Sequence, residues 1–348
     1  MKVNREKFLN VLEMVKAGLS PREFIEQSSC FVFQNGVVMT FNDEVACRME
    51  SGVDITGAVQ AASLLAILEK IDDPDLKIRE NEKGELEFRG KSKGFGITKD
   101  AEIFLPIDRV ETPEKWRPLP KEFTEAIGHV HHCVSTDESK FLLTCVHVHP
   151  EYIEACDNLQ MMRCSVNTGI KNSVLIRGTS IGHITSLGMD QVALTKSWIH
   201  FRNQAGLVLS CRRYRENYPS LDSIISSKGA PFVIPKGLAE ASDRAAVFAE
   251  DKSGDALVHI CLSQGKLRIS GEGLSGWYKE VKSAAYDGPR LDFLISPGLL
   301  KLISERWSDA EISDEKLKIS GGGWTYVTVL GRHKDGSSDA PEETKGEE

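Results

Sequence analysis

The sequence is short of the signals that mark several common functional classes. No apolar run approaches the ~20 residues that a membrane-spanning helix needs. There is no GxSxG, no Walker loop and no HExxH. Those absences remove the usual signatures of a serine-hydrolase elbow, a P-loop phosphate cradle and a zinc peptidase. The eight cysteines (Cys30, Cys47, Cys133, Cys145, Cys156, Cys164, Cys211 and Cys261) lie far apart in a chain of 348 residues, and none forms a CxxC pair. Small apolar thiols in a reducing compartment explain that spacing better than disulfides or zinc. Met1 to Leu12 mixes charged and apolar residues and lacks the apolar centre of a signal peptide. These features predict a soluble cytoplasmic protein with no membrane partner.

Positive charge is outnumbered, with 43 Lys and Arg against 51 Asp and Glu. The formal net charge is −8, and the last fifteen residues, Lys334 to Glu348, hold six acids against two bases. That polar tail contains Pro341 and no apolar residue larger than alanine, so it is predicted to be disordered. A negative total argues against a surface coated with phosphate-binding charge. It leaves room for a local basic surface, because the field depends on where the charges sit.

What the sequence does have is one pattern written three times. The first copy opens on a helix from Arg5 to Lys16, with Phe8, Leu12 and Val15 at helical spacing. A strand pair from Cys30 to Phe41 follows, and Asn35-Gly36 between its two β-rich runs signals a tight hairpin. Then come a second helix, Ser63 to Ile71, a hairpin of Leu76–Arg79 with Leu86–Arg89, and a strand around Phe95 to Ile97. The second copy reads as a helix from Glu122 to Val134, strands Phe141–His149 and Tyr152–Val166, a weak helix near Ser180–Leu187, and strands Trp198–Arg202 and Gly206–Cys211. The third has a helix from Leu238 to Ala249, strands Leu257–Leu262 and Lys266–Ser270, a helix Pro297–Arg306 behind an N-cap Ser296, and strands Lys316–Ser320 and Thr325–Leu330. Pro- or Gly-bearing joins at 116–120 and 226–231 separate the copies. The expected class is α+β, with pairs of helices packed on antiparallel sheets in three tandem modules at 1–117, 118–229 and 230–333, followed by the tail at 334–348. Free strand edges on a repeated module tend to pair, and a closed ring of modules removes them.

Two enzyme-like patterns are better explained by structure. Gly271-Glu-Gly-Leu-Ser-Gly276 matches GxGxxG, but Trp277 onward reads as another strand. A dinucleotide fingerprint needs a helix N-terminus there to hold the pyrophosphate, so a glycine-rich hairpin is expected. His129, His132 and Cys133 could share a helix face, and three such residues on one short helix are more often surface and core than a metal site. His147 and His149 share a strand face without an evident carboxylate partner. No catalytic residue, metal or cofactor is expected.

Several short stretches resemble the bacterial sliding clamp, the β subunit of the replicative DNA polymerase III, over residues 1 to about 332. Phe31–Ala46 is similar to that family's first strand pair, and Ile153–Val166 to its "ATDGHRLA" strand and turn. Asn217–Ile225 resembles its "FPDY" segment, and Asp243–Phe248 its "RAA" helix. The departures are Cys156-Asp-Asn-Leu-Gln160 in place of "TDGHR" and Val327–Arg332 in place of the "MPMRL" ending. A divergent clamp fits, including one carried by a bacteriophage.

The resemblance implies a non-catalytic processivity factor. Such a head-to-tail homodimer ring would encircle double-stranded DNA without reading its sequence. It would bind DNA polymerase and the clamp loader through a short apolar peptide motif, in the cytoplasm at the nucleoid or in a phage host's cytoplasm. The implied inward charges are Arg5, Lys7, Lys16, Arg22, Lys140, Lys236, Arg244 and Lys301, with Arg306 beside them. The middle helix is poor in bases and carries His129, His131 and His132 instead. The implied peptide pocket comprises Leu142, Asn158, Leu159, Met161, Pro219, Ile224, Val327 and Val329. The implied ring contacts are Phe95 and Ile97 on one side and Val247 and Phe248 on the other. The alternative is a clamp-fold protein-binding module or decoy that no longer encircles DNA.

Overall fold

The computed structural model describes residues 1–249 and 256–332. The expected acidic tail, 334–348, lies outside the described residues. The chain divides into two compact units. The first is Met1–Asn158 with Met162–Pro219, and the second is Leu159–Met161 with Ser220 onward.

In the first unit, helix α1 (Arg5–Val15) forms because Phe8, Leu12 and Val15 make one buried stripe and Asn4 caps its start, accepting from the Lys7 N–H at 3.0 Å. The Phe8 ring lies 6.3 Å from Phe33 and 6.4 Å from Phe88, which ties the helix to the strands beneath it. Helix α2 (Ala61–Lys70) packs beside α1. The hairpin Cys30–Gln34 with Val37–Phe41 turns at Asn35 and Gly36, whose φ of 53° and 75° are the left-handed pair expected of Asn-Gly. Val37–Phe41 pairs with Val45–Glu50, and that strand pairs with Val208–Tyr214, Val45 opposite Cys211 and Arg48 opposite Val208. Val208–Tyr214 continues to Trp198–Asn203 and Met189–Leu194 on one side and, at its far end, to Val174–Arg177. Helices α3 (Lys121–His131) and α4 (Ile181–Ser186) pack together, with Phe123, Ala126, Ile127 and Val130 buried on α3. A separate sheet carries Lys2–Asn4, Asp75–Glu80, Leu86–Arg89 and Gly94–Ile97, and the last of these is an edge.

The stretch expected as a strand from Phe141 to His149 is shorter: Glu138–Thr144 is a 3-10 turn and the strand is Cys145–Val148. The Asp137 side chain accepts from the Ser139 N–H at 3.0 Å, and such local capping starts a turn where apolar content alone suggested a strand. Tyr152–Val166 is likewise two strands, Tyr152–Cys156 and Gln160–Ser165.

The second unit has two antiparallel sheets. One comprises Ala230–Val233, Asp309–Ile312, Lys316–Gly321 and Trp324–Val329, with the short helix α5 (Asp222–Ile225) against the last strand. The other runs Gly276–Ser283, Lys266–Gly273, Val258–Ser263, Leu291–Ile295 and Gly331–Arg332. Helices α6 (Leu238–Ala246) and α7 (Pro297–Arg306) pack together. Gly271 is required by proximity: a Cβ there would lie 1.9 Å from the Ala245 carbonyl oxygen at the end of α6. The expected α+β class is thus the one found, with antiparallel pairing throughout the described ladders. Residues 271–276 form the hairpin expected of them, Gly273 opposite Gly276. All eight cysteines are buried, and none lies in a disulfide among the described residues. Burial pushes the Cys47 thiol up to about 12 and Cys145 and Cys164 to about 11, so all three stay protonated near neutrality.

Candidate functional site

The residues singled out by sequence fall on three kinds of surface. The first is the helix faces left exposed once their apolar stripes are buried. Arg5 begins α1, but its guanidinium is half-buried and donates to the Leu68 carbonyl of α2 at 3.2 Å, so it serves that helix end. Lys16 pairs with Glu13 at 3.3 Å. Arg244 on α6 donates to Glu280 at 2.6 Å and to the Tyr278 hydroxyl at 2.7 Å. The Tyr278 hydroxyl first, and then Arg244, hold the Glu280 carboxyl down at about 2. Lys301 on α7 pairs with Asp243 of α6 at 2.8 Å. Among the described residues Lys7, Arg22, Lys140, Lys236 and Arg306 have no ion-pair partner, and all five are exposed. Exposed acids share these helices: Glu6 and Glu13 on α1, Glu122 and Glu125 on α3, Glu240 and Asp243 on α6. On α3, His129 and His131 are exposed, while Cys133 beyond its end is buried. No group of three metal-ligating side chains occurs among the described residues.

The second surface is apolar and belongs to the second unit. The Leu159 carbonyl accepts from the Val329 N–H at 2.8 Å and from the Thr328 hydroxyl at 2.9 Å, and Tyr326 donates to the Gln160 side chain at 2.8 Å. These bonds fix the Leu159–Met161 segment on the Trp324–Val329 strand. Leu159 is 51% exposed and Val329 40%, Ile224 on α5 is half-buried, and Met161 and Val327 are buried. The remaining expected pocket residues, Leu142, Asn158 and Pro219, fall in the first unit. Leu142 sits in the 3-10 turn rather than in a strand, and Asn158 and Pro219 are exposed.

The third surface consists of two open sheet edges. In the first unit, Phe95 and Ile97 stand on the Gly94–Ile97 edge, half-buried, and Phe95 stacks on Phe88 at 4.5 Å. In the second unit the edge is Gly276–Ser283, and Val247 and Phe248 follow the end of α6: Val247 is 70% exposed, while Phe248 is half-buried with its ring beside Gly276. Sequence reasoning missed the larger part of this edge. Leu274 at the hairpin tip is fully exposed, and Trp277 and Val281 are 66% and 57% exposed on Gly276–Ser283. The signal lay in the alternation of that strand, where Trp277, Lys279 and Val281 fall on one face.

No protein-family model matches the chain. The β sliding clamp of Rickettsia felis is 23% identical over 265 residues, covering 71% of this chain and 69% of that protein. A sliding clamp from Bartonella birtlesii solved with griselimycin superposes with a TM-score of 0.82 at 17% identity, over 96% of this chain and 99% of that one. The DNA polymerase III β chain of Streptococcus pneumoniae gives 0.81 at 16% identity, over 95% and 99%. The Bacillus subtilis sliding clamp gives 0.80 at 16%, over 96% and 99%. The chain therefore has the fold of the bacterial DNA sliding clamps.

Proposed function

We propose that this chain is a DNA sliding clamp, a non-catalytic processivity factor with modules at 1–117, 118–229 and 230–333. Two copies would join head to tail and enclose duplex DNA. The observation that carries this reading is the likeness in fold to sliding clamps along almost the whole chain. The unpaired cations Lys7, Arg22, Lys140 and Lys236 would supply a mobile attraction to phosphates. The acids among them keep that attraction weak, as sliding requires. Retention would come from topology, and tethering a polymerase to the ring would raise its concentration at the primer end. A soluble ring of this kind works in the cytoplasm on nucleoid DNA, or on phage DNA in a host.

The partner surface is Leu159, Ile224 and Val329 over Met161 and Val327 in the second unit. It suits a short peptide with leucine or phenylalanine anchors from the polymerase or the clamp loader. Burying two such side chains supplies ~3–6 kcal/mol before ordering costs. The ring contact sets Phe95 and Ile97 of one copy against Val247, Phe248, Leu274 and Trp277 of the next.

Sedimentation equilibrium tests ring closure. A dimer of the 38.5 kDa chain at micromolar concentration is expected. A monomer there overturns the ring and leaves a clamp-fold binding module.

A further inference from the structure

A chain with a net charge of −8 nevertheless lines one cleft of its first unit with four bases and sets two more beside it. Lys115 and Arg117 come from the segment joining the first two modules, where Arg117–Pro118 pairs with Met189–Leu194. Lys171 comes from the loop before Val174–Arg177. A Cβ at Gly169 of that loop would lie 3.2 Å from Pro120 Cδ, so the loop is held close against the joining segment. Arg213 comes from Val208–Tyr214 and donates to the Thr195 carbonyl at 2.9 Å. These four side chains line a cleft of about 560 Å³, and Lys196 and Arg215 flank it, linked by the Arg215 bond to the Lys196 carbonyl at 2.7 Å.

None of the six has an ion-pair partner among the described residues, although Glu114 lines the same cleft. The contrast with Arg244 and Lys301, each matched to a carboxylate, is direct. Arg213 is half-buried, and its Nε is buried without a hydrogen-bond partner. Burial first, and the neighbouring Arg215 charge second, press Arg213 below the usual arginine range, against an opposing pull from Glu111. Arginine does not give up its proton near neutral pH, so Arg213 keeps its positive charge there.

We propose that this cleft is a phosphate-binding site, taking the oxyanions of a phosphate chain between Arg117, Lys171 and Arg213. Two sources present that chemistry: the backbone of a single DNA strand, and a free pyrophosphate or nucleoside polyphosphate. A guanidinium set back in a cleft suits a phosphate group that can enter it, and Arg matches phosphate oxygens in a bidentate fork. The site is separate from the helix faces and does not depend on ring closure.

The test uses the full chain, a fluorescein-labelled oligothymidylate of about twelve nucleotides, and inorganic pyrophosphate as competitor. The double variant Arg117→Ala/Lys171→Ala is expected to weaken oligonucleotide binding by about tenfold or more. It should also flatten the dependence of log affinity on log salt by ~0.7 for each phosphate contact removed, a readout that a merely structural role would not move. Lys83→Ala/Lys266→Ala, two exposed lysines that do not line the cleft, should change the affinity less than about twofold. Displacement by equimolar pyrophosphate assigns the site to isolated phosphate groups, and displacement only at large excess assigns it to the strand. Unchanged affinity and salt slope in the double variant overturn the proposal. So does equally tight binding of an acidic peptide of sequence 334–348, which would make the cleft a general acceptor of negative charge.

Discussion

Two strands of similar length, each carrying a tryptophan, end in opposite situations. Trp198–Asn203 is paired on both sides, by Met189–Leu194 and Val208–Tyr214. Trp198 is wholly buried, donates its indole N–H to the Arg109 carbonyl at 3.2 Å, and lies 6.1 Å from the Phe41 ring. Gly276–Ser283 is paired only with Lys266–Gly273 among the described strands, and Trp277 is 66% exposed with the Lys279 ammonium 5.5 Å from its ring. The residue type is the same, and the strand's neighbours decide its role. A strand enclosed on both sides contributes to stability. An edge strand that keeps large apolar side chains exposed has surface left for another chain.

The contrast is sharpest in stability. Trp198→Ala should cost about 3–5 kcal/mol in denaturant unfolding, the range for emptying a large aromatic site in a packed core. A loss below about 1 kcal/mol would mean that the strand is not enclosed as described.

His200 on the same enclosed strand gives the next effect. Its ring nitrogens meet the Ser210 hydroxyl at 2.8 Å and the Thr195 hydroxyl at 3.0 Å. Burial first, and the Arg48 charge second, lower it from 6.5 to about 4, with Glu111 pulling the other way. The unfolded chain takes up this proton near pH 6.5, and the folded chain resists until about pH 4. The contribution is therefore full above pH 6.5 and is lost as pH falls through that window, by roughly 3 kcal/mol at its end. Acid titration of wild type against His200→Gln reads it. Parallel stability curves for the two proteins would contradict the assignment.

The open surfaces should respond in binding rather than in folding. Leu159→Arg is expected to weaken a polymerase-derived peptide by at least about tenfold while leaving unfolding unchanged, and Ile224→Asp should behave alike. Peptide titration monitored by fluorescence checks this, and full binding by both variants would move the partner surface elsewhere. The edge itself should show a similarly small stability change. Leu274→Asp should alter unfolding by no more than about 0.5 kcal/mol, as for other exposed positions, yet shift sedimentation from dimer to monomer. An unfolded Leu274→Asp protein would erase the distinction between the two strands.

Much of this architecture was legible in local chemistry. Phe8, Leu12 and Val15 announce α1, Asn35-Gly36 announces a hairpin, and Ser296-Pro297 announces the start of α7. These signals are local, and local signals survive folding when nothing distant opposes them. The 3-10 turn at Glu138–Thr144 escaped because a side-chain cap outweighed apolar content. Val45–Glu50, Val174–Arg177 and Met189–Leu194 escaped because short strands buried in a continuous sheet show little alternation. The candidate surfaces were less legible still. That Arg244 faces Glu280, and that Lys115, Lys171 and Arg213 share a cleft, depends on strands far apart in sequence. Spacing carries no trace of either.

The most direct measurement of encirclement compares retention on closed circular DNA with retention on the same DNA after linearisation, following loading at moderate salt. A ring held by topology should stay on the circle through gel filtration and run off the linear form within the column time. Equal retention on both forms would contradict encirclement and point to ordinary phosphate binding along the duplex.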